Sequence, residues 1–299
     1  MSDEKFDIPF KSPTLPEMLS ANTRISFRCY KGITCFNACC KRADVTLAPY
    51  DVLRLKKRLG MSSEELLKRY TVPFQMDQDG VPGLKMRTDD NGVCLMLDGD
   101  NGCGVYEDRP TVCRYYPVAL LNMKAKDSSQ AEESYSLVRE EHCKGHLEDR
   151  EISIDDYRDE QGCKEFDDRN RDWYRLILKK KSAGPGVGRP SEMSLQLFFM
   201  ASYNLDMFRR FVLSDNFRKT YQLNDAFFGA VENDDLILMD FGFQFMRQVL
   251  FGERTIEEAS DAWEKRVENR KEVWEMRAQA EIAKKQKEED EKYSGASED

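Results

Sequence analysis

Long apolar runs are missing from this chain of 299 residues. A helix that crosses a bilayer needs roughly 18 or more consecutive apolar residues, so we expect no membrane span. The start, MSDEKFDIPFKSPT, has early acidic residues and lacks the basic segment and apolar run of a secretory signal. We therefore expect a cytoplasmic protein.

A surplus of positive charge is missing as well, because the formal net charge is −9. Binding to nucleic acid depends on clustered Lys and Arg that neutralise phosphates. A local basic patch such as Lys179 to Lys181 is explained by the end of a helix, where the helix dipole favours cations. We expect no nucleic-acid partner.

Nucleotide-binding glycine motifs are also lacking. Gly184, Gly186 and Gly188 have alternate spacing, but they follow a predicted helix and lie in a linker instead of closing a strand. The sequence therefore gives no support for a Rossmann-type site for a methyl donor.

Cysteine is plentiful but unevenly distributed. Of the nine cysteines, eight lie between residues 29 and 143, and none follows Cys163. The odd total and the adjacent pair Cys39 and Cys40 favour reduced thiols over disulfides in a cytoplasmic protein. Clustered thiolates are soft ligands that suit zinc, copper(I) or iron–sulfur clusters. The predicted metal ligands are Cys29, Cys35, Cys39, Cys40, Cys94, Cys103, Cys113 and Cys143.

The spacing of the first cysteines argues against an ordinary zinc knuckle. Structural zinc sites are usually built from C-x2-C pairs, whereas this group reads C-x5-C-x3-C-C. Neighbouring side chains such as Cys39 and Cys40 point in different directions along an extended segment, so both rarely bind one tetrahedral ion. A polynuclear cluster or two nearby sites would accommodate them better.

Charged and imidazole side chains near the cysteines fit the same interpretation. Cations lower the pKa of thiols and offset the negative charge of a thiolate centre. For any single one of the cations near these cysteines, an ordinary surface ion pair is an equally good explanation. His142 and His146 flank Cys143 and could complete a site. Cys163 lies on a predicted helix and is interpreted as a packing residue. The cations in question are Arg28, Lys31, Lys41, Arg42, Arg109 and Arg114.

Periodicity predicts short elements in the first half of the chain. A helix is expected over Pro49–Leu59 with Gly60 as its stop, and a second helix after the Ser62 and Glu65 capping pattern. Turn signals over 76–106 predict small strands and tight loops, on which ligands can converge. Further along, 118–123 and 135–139 are expected to pair as strands.

The second half is predicted to be helical. One long helix is expected from about residue 153 to 181, followed by a Gly- and Pro-rich linker over 182–190. Helices should then cover SLQLFFMASYNLDMFRRFV, 225–231 and 236–251, with their phenylalanines in the core. A last helix should start at Thr255 and carry Trp263 on its apolar stripe. A charged, disordered tail should follow it.

Three ordered segments resemble the YkgJ-type cysteine-cluster family, a zinc- or iron-chelating domain. They are the run from FRCYKGITCFNACCKR to SSEELLKRY, then GVCLMLDGDNGCGVYEDRPTVCRYYPV, then HCKGH. The family pattern falls on Cys94, Cys103, Val105, Tyr106, Arg109, Pro110, Cys113, Arg114, Pro117, Cys143 and Gly145. The first cysteine gaps are longer than the C-x2-C-x2-C-C of many members, which makes Cys29 the least secure ligand.

The resemblance implies three functions. The first is an iron–sulfur protein, with a cluster of the 4Fe–4S type, that has an electron-transfer or oxidoreductase role and a redox or protein partner. The second is a zinc-binding structural, interaction or chelating module. The third is a methyltransferase with an accessory cluster, since a related group comprises flagellin lysine methylases.

For the architecture we expect an α+β, mainly α protein. A loop-rich cysteine-cluster domain with small β strands should occupy residues 1–181 and be followed by the linker 182–190. A helical region should cover 191–275, and the charged tail 276–299.

Overall fold

The computed structural model describes residues 18–124, 131–182, 190–259 and Ile282. Within these ranges the chain is mainly α-helical with short antiparallel strands, as the sequence predicts. A search of the described helices found none with the length and apolarity needed to traverse a bilayer. The helices are α1 Pro49–Leu59, α2 Ser63–Tyr70, α3 Thr111–Tyr115, α4 Ile154–Glu160, α5 Cys163–Ser182, α6 Glu192–Tyr203, α7 Leu205–Val212, α8 Asp215–Thr220, α9 Asp225–Asn233 and α10 Asp235–Phe251.

The strands form four small antiparallel sheets within the described residues. One sheet has the order β2-β4-β3, and three are pairs, β1 with β9, β5 with β6, and β7 with β8. The predicted pairing of strand 118–123 with the segment near 135 is confirmed, with Val118 opposite Leu137, but the second strand covers Ala131–Leu137 instead of 135–139. The strands are β1 Arg24–Ser26, β2 Thr46–Leu47, β3 Thr71–Gln75, β4 Pro82–Met86, β5 Leu97–Asp98, β6 Gly102–Cys103, β7 Val118–Lys124, β8 Ala131–Leu137 and β9 Glu151–Ser153.

Helices α1 and α2 follow directly from their sequence signals. Helix α1 ends at Gly60, whose φ of 61° lies in the left-handed region that glycine enters without a steric penalty. The Ser62 hydroxyl accepts a hydrogen bond from the Glu65 N–H and so caps α2. Both predicted helices are therefore confirmed.

The long helix predicted from 153 to 181 is wrong, because the structure has two helices there. Ser153 caps α4 by accepting from the Asp156 N–H at 3.1 Å, and α4 ends at Glu160. Gly162 then adopts a φ of 66°, which reverses the chain before α5 begins at Cys163. One glycine in an otherwise helical pattern thus divides the element.

Two further helix predictions need correction. SLQLFFMASYNLDMFRRFV forms α6 and α7 instead of one helix, because the Asn204 side chain accepts from the Met207 N–H and starts a new helix. Residues 255–259 are not helical. The Ala259 N–H donates to the Thr220 carbonyl at 2.9 Å, so this backbone pairs with the loop after α8.

Two hydrophobic cores hold these elements together. The smaller core packs β1, β8, β9 and α4 around side chains such as Ile25, Tyr135 and Cys163. The larger core joins α1 and α2 to the helices after residue 190, through Leu55, Phe208 and others. The predicted core role of the phenylalanines is confirmed, since these are buried: Phe198, Phe208, Phe241, Phe243 and Phe245, with Phe199 and Phe211 half-buried against them.

Several predicted features lie outside the described residues. These are most of the linker 182–190, the Trp263 stripe and almost all of the tail 276–299. The division into domains at the linker stays a prediction, although the larger core draws residues from both sides of it.

A buried carboxylate ties the start of α1 to the start of α3. Asp51 is fully buried and accepts hydrogen bonds from the Ala48 N–H, the Thr111 N–H and the Thr111 hydroxyl. The orphan N–H groups of both helix starts are thereby satisfied. Burial raises the pKa of Asp51 from 3.8 to about 6, against the lowering effect of these hydrogen bonds.

We predict that Asp51→Asn removes a pH-dependent part of the stability. The folded-state pKa of Asp51 is raised. The contribution of Asp51 to the free energy of unfolding is therefore complete below about pH 4 and is lost as pH rises through about pH 6. The stability advantage of the wild type over the variant should therefore be largest near pH 4 and fall by up to about 3 kcal/mol by pH 7. Urea unfolding at several pH values measures this difference.

The control is Asp44→Asn, which changes an exposed carboxylate paired with Lys85. Its stability difference from the wild type should vary little over the same pH range. A pH-independent difference for Asp51→Asn would contradict the raised pKa.

Candidate metal centre

The eight predicted ligands come from five separate parts of the fold. Cys29 and Cys35 follow β1, and Cys39 and Cys40 lie in the 3-10 helix Ala38–Cys40. Cys94 precedes β5, Cys103 lies in β6 and Cys113 lies in α3. Cys143 lies in a turn just before the 3-10 helix Gly145–Leu147. None is in a disulfide, and all are partly or fully exposed as residues.

Backbone contacts bring the segments of Cys29, Cys35 and Cys143 together. The Arg28 N–H donates to the Gly145 carbonyl at 3.1 Å. The residue before Cys29 therefore lies beside the residue two positions after Cys143. The Lys144 N–H donates to Cys35 Sγ at 3.2 Å.

A second set of backbone contacts joins Cys40 to the hairpin that bears Cys94 and Cys103. The Cys94 N–H donates to the Cys40 carbonyl at 2.8 Å. Leu97 of β5 lies opposite Cys103 of β6 in the short ladder. The tight turn in this hairpin includes Gly102, whose φ of 102° is a conformation suited to glycine.

The side chains of the first set influence one another electrostatically. Burial raises the pKa of Cys29 to about 11, and the neighbouring Cys39, Cys35 and Cys143 raise it further. Cys39 is the exception in the cluster, because a hydrogen bond from the Cys40 thiol lowers its pKa to about 7. Conversely, this hydrogen bond and burial raise the pKa of Cys40. Among the thiols whose pKa is shifted, Cys39 therefore ionises most readily.

The remaining cysteines form a similar group around Cys113. Desolvation by the surrounding protein raises the Cys113 pKa even though the residue is exposed overall, and Cys94 and Cys103 add to the effect. Burial also raises the pKa values of Cys94 and Cys103, and an electrostatic interaction with Cys39 raises both further. The eight predicted ligands thus belong to one connected set of interacting thiols.

Two buried guanidinium groups lie beside this set. Arg109 and Arg114 are only 7% and 6% exposed. Arg109 donates to the Tyr106 carbonyl and to Gln161 Oε1, and Arg114 donates to the carbonyls of Arg109, Gln161 and Glu107. These acceptors are neutral, whereas a buried charge usually requires an opposite one.

The charge of Arg109 acts on the cysteines. It lowers the pKa values of Cys29 and Cys103, against the larger effect of burial. By contrast, the buried Arg158 lies 2.8 Å from Asp167, so its charge is matched by a carboxylate. Thiolates would supply negative charge next to Arg109, whereas Arg114 interacts with Asp51 and Cys163.

The four cations predicted around the first cysteines lie on the surface. Arg28, Lys31, Lys41 and Arg42 are exposed. Arg28 stacks over the Tyr30 ring at 5.0 Å. The closest cationic influence on the thiols therefore comes from Arg109, which the sequence places beside Cys113.

Cys163 lies apart from this set. It is fully buried in the smaller core, and burial raises its pKa to about 12. Its further electrostatic influences come from Asp167, Arg158, Arg114 and Arg109. The structure thus places Cys163 as a packing residue, in line with the sequence interpretation.

The two histidines have different surroundings. His146 Nε2 lies 3.1 Å from the Val138 carbonyl and its ring packs on Phe27, while burial lowers its pKa. His142 Nε2 lies 3.5 Å from a Glu140 carboxylate oxygen, close to Cys143. His146 is therefore engaged in packing, and His142 is the imidazole nearer to the thiols along the chain.

Two neighbours of the site have no signal in the sequence. Gln161 binds both buried arginines, but it lies inside what the periodicity predicts as one helix. Tyr116 faces Cys143 and Glu140, and its pKa is raised first by burial and then by these two groups. The Gln161-Gly162 pair is the one feature that could have indicated a break at this position.

The thiols are near one another without already having ligand geometry. In the part of the chain that the structure describes, no three side chains of His, Cys, Asp or Glu are arranged so that they could hold a metal ion. Binding would therefore require side-chain rotation about the cysteine χ1 angles, which have three staggered positions. The donor set itself, eight soft sulfurs of which two feel the buried charge of Arg109, fits a thiolate-bound metal or iron–sulfur cluster.

Comparison with known proteins gives one match. Residues 28–144 match the family model CxxCxxCC, described as a putative zinc- or iron-chelating domain. Neither the curated proteins nor the solved structures include one that matches the chain. The matched range begins one residue before Cys29 and ends one residue after Cys143, so it encloses all eight interacting cysteines. Residues 28–144 are thus similar to the zinc- or iron-chelating cysteine-cluster family that the YkgJ-type motifs indicate.

Proposed function

We propose that the eight interacting cysteines bind an iron–sulfur centre of the 4Fe–4S type, and that the protein transfers electrons to a redox partner. The observation that carries this proposal is the contact between cysteine-bearing segments that are distant in sequence, through the Arg28 to Gly145, Lys144 to Cys35 and Cys94 to Cys40 hydrogen bonds. Cysteine thiolates are the usual ligands of such clusters. When bound, the centre would supply one-electron chemistry.

The surroundings of the sulfurs support this choice. The potential of an iron–sulfur centre depends on its net charge, its exposure and the hydrogen bonds to its sulfurs. Lys144 offers a backbone N–H to Cys35 Sγ, and Arg109 offers positive charge from inside the protein to Cys29 and Cys103. These groups would stabilise the negative charge of a thiolate-ligated centre and favour its reduced form.

The surface around the cysteines is open to a partner protein. Cys29, Cys39 and Cys113 are exposed residues. Large apolar side chains next to them are exposed as well, among them Tyr30 at 39% and Val112 at 44%. Apolar patches on a surface often mark protein contacts. An electron could therefore leave the centre without crossing the core.

A zinc-binding module is the second candidate. His142 lies one residue from Cys143, and imidazole together with thiolates is a common zinc ligand set. In that case the metal would stabilise the fold instead of transferring electrons. The metal identity separates the two candidates.

We predict that protein purified without oxygen contains iron and inorganic sulfide and is brown, with broad absorption near ~400 nm. Cys39→Ser and Cys113→Ser should each lose at least half of the bound metal, because each removes a thiolate from the connected set. Elemental analysis of the full-length chain measures the loss. Colourless protein with stoichiometric zinc would establish the second candidate instead.

The matched control is Cys163→Ala, which removes the sulfur without burying an unpaired hydroxyl group in the smaller core. Its metal content should equal that of the wild type. If the purified wild type holds neither iron nor zinc, or if Cys163→Ala empties the site, the proposed ligand set is wrong.

Gly145 holds two ligand-bearing segments in contact, and this generates another prediction. A Cβ atom added at Gly145 would lie 2.6 Å from a Phe27 ring carbon and 2.9 Å from the Arg28 carbonyl oxygen. The second distance is to backbone, so Gly145→Ala must push the Cys143 segment away from the Cys29 segment. We predict that this variant binds its metal roughly tenfold more weakly, an effect typical of residues that orient ligands. Competition with a chelator measures the affinity.

Gly229→Ala provides the control, because no atom lies within 4 Å of the position where its Cβ would be added. That change lies in helix α9 and should leave metal affinity unchanged while slightly stabilising the helix. Equal affinities for Gly145→Ala and the wild type would show that contact between these segments does not organise the ligands.

A further inference from the structure

The eight cysteines are not equivalent in position, and their grouping follows from the backbone contacts. One group lies where the chain after β1 meets the Cys143 turn, through the Arg28 to Gly145 and Lys144 to Cys35 hydrogen bonds. The other lies where Cys40 meets the Cys94 and Cys103 hairpin, through the Cys94 to Cys40 hydrogen bond and the β5 and β6 ladder. The adjacent residues Cys39 and Cys40 form the junction of the two groups.

The electrostatic interactions between side chains agree with this grouping except at Cys39, which acts on Cys29 and also on Cys94, Cys103 and Cys113. The thiols of Cys39, Cys35 and Cys143 interact electrostatically with Cys29 and raise its pKa. Apart from Cys39, the thiols of Cys113 and Cys94 raise the pKa of Cys40. The pKa of Cys113 is raised in the same way by Cys94, Cys103 and Cys39. Cys113 thus joins the hairpin group, and Cys39 is in reach of both groups.

We propose that the centre consists of two adjoining four-thiolate subsites divided between Cys39 and Cys40. The first subsite contains Cys29, Cys35, Cys39 and Cys143. The second subsite contains Cys40, Cys94, Cys103 and Cys113. This inference rests on the proposed metal-binding function and extends it, because it assigns each cysteine to one of two bound metal ions or clusters.

The division follows from coordination chemistry. Four thiolates complete the shell of a tetrahedral zinc ion, and four also hold one 4Fe–4S cluster. Eight thiolates exceed what one such group needs. Adjacent residues rarely bind the same tetrahedral ion, so Cys39 and Cys40 should serve different subsites.

Arg109 has a place in this arrangement. Its charge acts on Cys29 of the first subsite and on Cys103 of the second. A single buried guanidinium therefore lies within the electrostatic reach of both subsites, where it offsets the repulsion between two negatively charged groups.

The test is a titration of the metal-free, reduced full-length chain with Co²⁺, which gives thiolate charge-transfer absorption in tetrahedral sulfur sites. The wild type should bind about two equivalents, one for each four-thiolate subsite. Cys35→Ser and Cys94→Ser should each halve this capacity, since each disables one subsite and leaves the other.

Double variants give the sharper comparison. Cys35→Ser combined with Cys143→Ser changes one subsite and should still leave half of the capacity. Cys35→Ser combined with Cys94→Ser changes both subsites and should abolish strong binding. Circular dichroism identifies variants that fail to fold. If the double variant Cys35→Ser with Cys94→Ser fails to fold, Cys29→Ser combined with Cys103→Ser replaces it.

The outcomes separate this inference from the proposed function. Purified wild-type protein without iron or zinc would refute the metal centre itself. A metal-containing wild type whose metal-free chain takes up only about one equivalent of Co²⁺, or none, would refute the division alone. Equal losses in the two double variants would refute it too, since the model of two subsites requires them to differ.

Discussion

The structure depends on balancing negative charge where many thiols meet. Burial penalises the charge of a thiolate and neighbouring thiols repel it, which raises the pKa values of Cys29 and Cys113, and at Cys40 the hydrogen bond with Cys39 is the first cause. Arg109 is buried with neutral hydrogen-bond acceptors, and its charge acts on Cys29 and Cys103. A bound metal cation would provide the rest of the balance. The cysteine segments and Arg109 therefore form one electrostatic unit.

The helical scaffold positions this unit indirectly. Asp51 satisfies the first N–H groups of both α1 and α3, so the helix that carries Cys113 is held to the larger core. Gln161, in the break between α4 and α5, binds both arginines. The cysteines themselves lie in turns, short strands and short helices, a common place for ligands on a rigid scaffold.

Much of this could be predicted from the sequence because the signals were local. The ends of α1, the cap of α2 and the set of clustered cysteines needed only spacing and residue type. The contact of residues 255–259 with α8 and the loop after it could not be predicted, since it depends on a tertiary partner. Gly162 was a local signal for the break between α4 and α5, but the helical periodicity around it concealed the break. The roles of Gln161 and Gly145 likewise depend on segments that are distant in sequence.

X-ray absorption at the edge of the bound metal, on protein purified without oxygen, tests the central claim most directly. Thiolate ligation predicts a first shell of sulfur, with four neighbours at about 2.3 Å for zinc and a second iron shell for an iron–sulfur cluster. A first shell made mainly of nitrogen and oxygen would contradict the account, because the cysteines would then not be the ligands.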